Sequence, residues 1–349
     1  MSVKLLLVCS IACYPLIGSA QGYAGLGTQV SGFSNPDRSQ ALKFPHDHGA
    51  HPDFRVEWWY LTANLKGTDG REYGVQWTLF RSALSAGNPD GWSNPQIWMG
   101  HAGVTTPEDH HFDERLARGG IGQAGVATQP FTAWIDNWEL TSPDETLNNL
   151  TVTSSSESFA YDLSMSANGP LVLHGDNGYS VKSANGQASH YYSQPHYEVT
   201  GVLALADRSV EVSGQGWLDR EWSSQPLEED QSGWNWFSLS FESGDKLMGF
   251  ILRSENGDFT SGTWIDADGH AAPLQPGAFQ AAPLDYALVE DRTIPVEWQI
   301  TLHEKQISVT IQPVNRQSWM GTLFPYWEGP VTISGSHTGR GYLEMTGYE

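Results

Sequence analysis

Val56-Glu57-Trp58-Trp59-Tyr60-Leu61, then Gly67-Thr68-Asp69-Gly70, then Tyr73-Gly74-Val75-Gln76-Trp77-Thr78-Leu79-Phe80 is the stretch that decides the fold. Aromatic and β-branched residues favour extended backbone, and a Gly/Asp cluster between two such runs is a turn signal. Alternation puts Val75, Trp77 and Leu79 on one face, so the stretch predicts a β-hairpin with one face in a core. Similar text recurs downstream. Val199 to Leu205 and Val210 to Val212 flank Asp207-Arg208. Trp298, Ile300 and Leu302, then Ile307, Val309 and Ile311, alternate with polar residues around Glu304-Lys305-Gln306. A short helix is expected only at Asp113 to Arg118. Many short strands joined by turns predict an all-β chain, a sandwich or a barrel.

The chain has 349 residues, with 37 Gly, 19 Pro and 15 Trp. That length fits one or two domains. With 40 acidic and 18 basic residues the net charge is −22. Such a balance argues against nucleic acid, whose phosphates need clustered Lys and Arg, and against anionic lipid headgroups. The Trp excess points to an aromatic core or an aromatic-lined cavity.

Residues 1–20 read as a signal peptide: Lys4, an apolar stretch from Leu5 to Ile17, and Gly18-Ser19-Ala20 before a cut after Ala20. A periplasmic or secreted protein is expected, with lipid anchoring at Cys13 the lesser option. Both cysteines, Cys9 and Cys13, lie in that signal. The mature chain would then hold no disulfide and no thiolate metal site. Residues 21–41 read as a loose lead-in.

The remainder repeats itself. Trp58-Trp59-Tyr60 and Leu79-Phe80-Arg81 are echoed by Trp234-Asn235-Trp236-Phe237 and Ile251-Leu252-Arg253. Pro195-His196-Tyr197-Glu198 is echoed by Pro325-Tyr326-Trp327-Glu328, and Gly216-Trp217-Leu218-Asp219 by Gly341-Tyr342-Leu343-Glu344. Two copies are expected, 42–226 and 227–349, joined in the acidic, turn-rich Gln225 to Gly233.

His46-Asp47-His48-Gly49-Ala50-His51 could ligate a metal, but Gly49 and the flanking prolines favour a turn, so no metal is expected. Gly-x-Ser-x-Gly and His-Glu-x-x-His are absent. Glu57, among aromatics in a strand, is either paired with Arg81 or Arg55, the favoured reading, or has its pKa raised by burial. His190, Tyr192, Trp217 and Asp219 would gather at one end of a barrel. There an acid, an imidazole and aromatic faces could protonate an alkene and hold the cation. A plain Asp219–Arg220 salt bridge is the bland alternative.

Asp47-His48-Gly49-Ala50-His51-Pro52, Glu57-Trp58-Trp59-Tyr60, Gly100-His101-Ala102, Trp217-Leu218-Asp219-Arg220-Glu221-Trp222 and Gly233-Trp234-Asn235-Trp236-Phe237 together resemble the AttH / carotenoid 1,2-hydratase family, over roughly residues 42–349. The resemblance implies two tandem lipocalin-like (calycin) barrels. It also implies hydration or isomerisation of an isoprenoid-type alkene without a cofactor. The catalytic set it implies is Asp219 as proton donor, His190 as relay, and Tyr192 and Trp217 as cation-steadying faces. The two aromatics are exchanged relative to the hydratases. Glu57, Trp59, Tyr60, Trp77, Arg81, His101 and Trp236 are the expected ligand-contacting residues. The alternative is a non-catalytic periplasmic carrier of a hydrophobic small molecule, accessory to an ABC-type export system.

Overall fold

The computed structural model describes residues 31–206, 208–225 and 227–348. The signal-peptide expectation, Cys9 and Cys13 lie outside them. The deciding stretch forms a hairpin of Val56–Gly67 and Glu72–Ala83. Its turn closes through Gly70 N–H to the Gly67 carbonyl, with Gly70 at φ +82°. Val75, Trp77 and Leu79 are fully buried on one face.

Two antiparallel sheets build the chain. From edge to edge the first runs His110–Arg118, Gln96–Thr105, Glu72–Ala83, Val56–Gly67, Arg208–Ser223, Ala188–Leu205, Phe159–Ala167, Asn149–Ser155, Trp138–Thr141, Phe131–Ile135 and Ala124–Thr128. It curls until its ends meet. The Arg115 guanidinium lies 4.3 Å over the Trp138 ring and donates to the Ser155 carbonyl at 3.1 Å. The result is a nearly closed barrel around Trp59, Leu61, Trp77, Leu79, Trp138 and Leu163.

The second sheet runs Ala271–Pro273, Phe259–Ile265, Lys246–Ser254, Gln231–Phe241, Gly339–Thr346, Tyr326–Gly335, Ile307–Pro313, Arg292–Leu302 and Gln280–Val289. Its middle repeats the order of the first sheet strand for strand. Tyr60 pairs with Asp219 in the first sheet, and Trp236 pairs with Glu344 in the second. Two echoes are therefore structural equivalences. The third is out of register: Glu328 lies opposite Glu344, whereas Ser193 is the residue opposite Asp219.

The expected helix at Asp113 to Arg118 is instead part of the strand His110–Arg118, paired with Gln96–Thr105 from His110↔Thr105 to Arg118↔Ile97. Ladder hydrogen bonds from a neighbouring strand outweigh a weak local helix preference.

The outer face of the first barrel packs against the second sheet. Tyr60, Tyr191 and Trp217 meet Trp236, Met248, Phe250, Leu252 and Tyr342 in one buried cluster. Gly74 permits this approach, because a Cβ there would stand 2.5 Å from the Pro330 ring.

Candidate active site between the two barrels

A cavity of about 420 Å³ opens at this junction, lined among others by Trp58, Tyr60, Asp219, Trp234, Trp236, Phe250 and Glu344. Strand alternation delivers these residues. Trp217, Asp219 and Glu221 project from one face of Arg208–Ser223, while Leu218 and Trp222 enter the core of the first barrel.

Asp219 is 3% exposed. Its Oδ2 accepts the Tyr191 hydroxyl at 2.6 Å. Its Oδ1 accepts the Trp217 indole N–H at 2.6 Å and the Ser193 hydroxyl. Burial raises its pKa to about 7. The three donors pull against that shift, and the Glu221 charge adds to it. The carboxyl is thus part protonated near neutrality, which a proton donor needs.

Behind Asp219, Ser193 meets His174 Nε2 at 2.6 Å, and His174 Nδ1 meets Thr263 Oγ1 at 2.9 Å. Burial holds His174 well below its ordinary pKa, so this imidazole stays neutral. Its ring stacks on Tyr191 with centroids 4.0 Å apart. The second barrel supplies Glu344, which accepts the Trp234 indole N–H at 2.6 Å and is also pushed by burial to about 7. Glu328 accepts the Tyr60 hydroxyl at 2.6 Å, and burial pushes its carboxyl well above the ordinary carboxylate range.

The expected site residues divide between two places. Asp219, Trp217, Tyr60 and Trp236 come together at the junction. His190 and Tyr192 do not join them, because they alternate with Tyr191 and Ser193 along Ala188–Leu205 and point away from Asp219. His190 Nε2 accepts the Asp37 backbone N–H at 3.4 Å, and the Tyr192 hydroxyl meets His48 Nδ1 at 2.6 Å. Trp59 and Trp77 fill the core of the first barrel. Glu57 binds Arg81, and Arg220 at 3.2 Å, both buried, and Glu57 and Arg81 also reach the cavity wall. Arg220 therefore serves Glu57 and not Asp219. His101 lies at the junction between Tyr326 (2.9 Å) and Glu114 (3.1 Å).

Sequence reading missed Tyr191, Ser193, His174 and Glu344. The Asp219/Glu344 echo was the available signal for Glu344. His174 follows the two-residue strand Val172–Leu173 and has no periodic context. Among the described residues, His46, Asp47 and His51 offer ligand atoms within 4.8 Å of one another. His46 and Asp47 are themselves bonded at 2.6 Å, and Asp47 also accepts the Lys43 N–H. None of the three lines the cavity.

Fold and site together define a tandem double β-barrel with a buried acid at the junction. The chain belongs to the AttH-like family, whose model matches residues 35–348. A putative AttH from Nitrosomonas europaea is 30% identical, with a TM-score of 0.79 over 91% of this chain and 100% of that one. Kievitone hydratase from Nectria haematococca is 16% identical, with a TM-score of 0.65 over 90% and 98%. CghA is 11% identical, with a TM-score of 0.53 over 92% and 97%. The last two likenesses concern the lipocalin-like fold. No curated protein matches the chain in sequence.

Proposed function

We propose that this protein carries out acid-assisted chemistry, hydration or isomerisation, on the double bond of an apolar, isoprenoid-like small molecule held between the barrels. One observation carries the reading: a buried carboxyl with its pKa raised to about 7, set in an aromatic cavity. In the first step the Asp219 O–H bond breaks, and the alkene π pair takes the proton to form a C–H bond. The cation left on the more substituted carbon faces Tyr60 and Trp236 on the cavity wall, with Trp217 packed behind them, and such rings attract positive charge. Water then forms the C–O bond and returns a proton to the Asp219 carboxylate. Loss of a neighbouring C–H proton to the same carboxylate gives the isomer instead. No cofactor enters either balance. The proposal takes the protein as exported, on its signal-like N-terminus.

The test is Asp219→Asn with terminal isoprenoid alkenes as probes. Turnover should be abolished while ligand-induced Trp quenching persists. Conversion by the variant at the parent rate would overturn the enzyme reading. Quenching with no conversion by either protein would favour the carrier.

A further inference from the structure

The repeat places a second carboxyl where the first barrel has Asp219. Asp219 lies opposite Tyr60, and Glu344 opposite Trp236. The rings of Tyr60 and Trp236 themselves meet edge to face at 5.2 Å. Each barrel serves the other's acid. Tyr60, from the first barrel, bonds Glu328 and reaches Glu344 of the second. Trp236, from the second barrel, donates at 3.1 Å to Tyr191, which holds Asp219. Both acids line the one cavity, and each is held by an indole N–H, Trp217 for Asp219 and Trp234 for Glu344.

We propose that Asp219 and Glu344 act as a carboxyl pair that shares one negative charge, and that the cavity selectively binds an apolar cation such as an alkylammonium. Two buried carboxyls facing one space ionise in succession, because the first charge opposes the second. One is then an acid while the other is a base. The remaining charges facing the cavity nearly cancel. Glu57 is paired with Arg81, and Glu221 with Lys182 at 2.9 Å, while Lys182 lies 4.2 Å over the Tyr191 ring. Burial pushes the Glu328 carboxyl and the Tyr60, Tyr191 and Tyr342 phenols well above their ordinary ranges and holds His174 well below its own, so burial disfavours a charge on each of them. His101, behind Tyr326, is held below its ordinary pKa by burial. The pair is therefore the net negative feature, surrounded by indole and phenyl faces that favour a cation. This deepens the proposed function and rests on it, since an apolar cation has the charge of the intermediate, and Glu344 becomes a second carboxyl facing that charge.

The test uses decyltrimethylammonium, whose charge does not titrate, beside the tertiary alcohol of the same shape, both read by Trp fluorescence of the full chain. The ammonium should bind more tightly than the alcohol, and about tenfold more tightly at about pH 8 than at about pH 6. Glu344→Gln and Asp219→Asn, folded by near-UV circular dichroism, should each remove most of that pH dependence. Equal affinity for the two probes, or an ammonium affinity flat with pH in the parent protein, would overturn the pair without recourse to any variant. Selective ammonium binding with no alkene converted would sink the enzyme reading and leave the pair standing. Alkene conversion without ammonium selectivity would do the reverse.

Discussion

At the scale of single residues, the free energy stored in Asp219 has a definite sign. Its pKa is 3.8 in an ordinary setting and about 7 in the fold. The folded chain holds this proton more tightly than the unfolded one. Its contribution to stability is therefore full below about pH 4 and is lost as pH rises through about 7. A shift of that size corresponds to something on the order of 4 kcal/mol. Asp219→Asn removes the ionisable group and keeps its shape. The variant should lose less stability between about pH 5 and pH 8 than the parent, in urea unfolding at both values. Parallel losses in the two proteins would mean that Asp219 is ionised and satisfied throughout. Glu57 makes the contrast. It is equally buried, but Arg81 and Arg220 together with the His51 hydrogen bond hold its pKa far below the usual carboxylate range, so it stays an ion. Removing one partner of such a cluster costs about 3–5 kcal/mol, which marks a structural knot and not an acid.

At the scale of strands, alternation decides which neighbours a residue keeps. Ser193 and His190 are three positions apart on Ala188–Leu205 and face opposite ways. Ser193 donates to Asp219 and lowers its pKa. Ser193→Ala should therefore move the Asp219 transition to higher pH, visible in the pH profile of turnover or of ligand-induced quenching. His190→Gln should leave that profile in place, and an equal shift by both variants would contradict the strand assignment. Alternation also explains what could be read in advance. The hairpin at Trp58 to Phe80 and the pair Trp298–Leu302 and Ile307–Ile311 were legible, because their apolar residues recur every second position and end at turn residues. Residues 188–194 were not legible in this way: Ala188 to Gln194 are all buried, on both faces of the strand. With both faces dry, composition cannot say which side carries the acid's partners. The sequence therefore offers His190 as the imidazole beside Asp219, whereas the fold turns His190 away and brings His174, from an irregular segment, to Ser193. The segment Asp113 to Arg118 reads as a helix for a related reason, since it sits at a sheet edge and shows no clean alternation.

At the scale of the whole molecule, the cavity belongs to neither barrel alone. The two sheets share a central strand order. Their equivalent faces, Tyr60 with Asp219 and Trp236 with Glu344, are turned toward each other. Part of the Trp excess follows directly. Trp58, Trp217, Trp234 and Trp236 serve the junction, while Trp59, Trp77, Trp138 and Trp298 fill the two cores. Bringing the two faces together excludes water from carboxyls that would ionise readily on an open sheet, and desolvation is the largest cause of their raised pKa values. Infrared titration of the protonated carboxyl band in the intact protein tests this most directly. The account predicts a carboxyl that gives up its proton only near about pH 7. Asp219→Asn should remove part of that band and shift the remaining Glu344 transition to lower pH, since the Asp219 charge is one of the causes that raise it. A protein whose carboxyls have all ionised by about pH 5, close to the ordinary range, would contradict it.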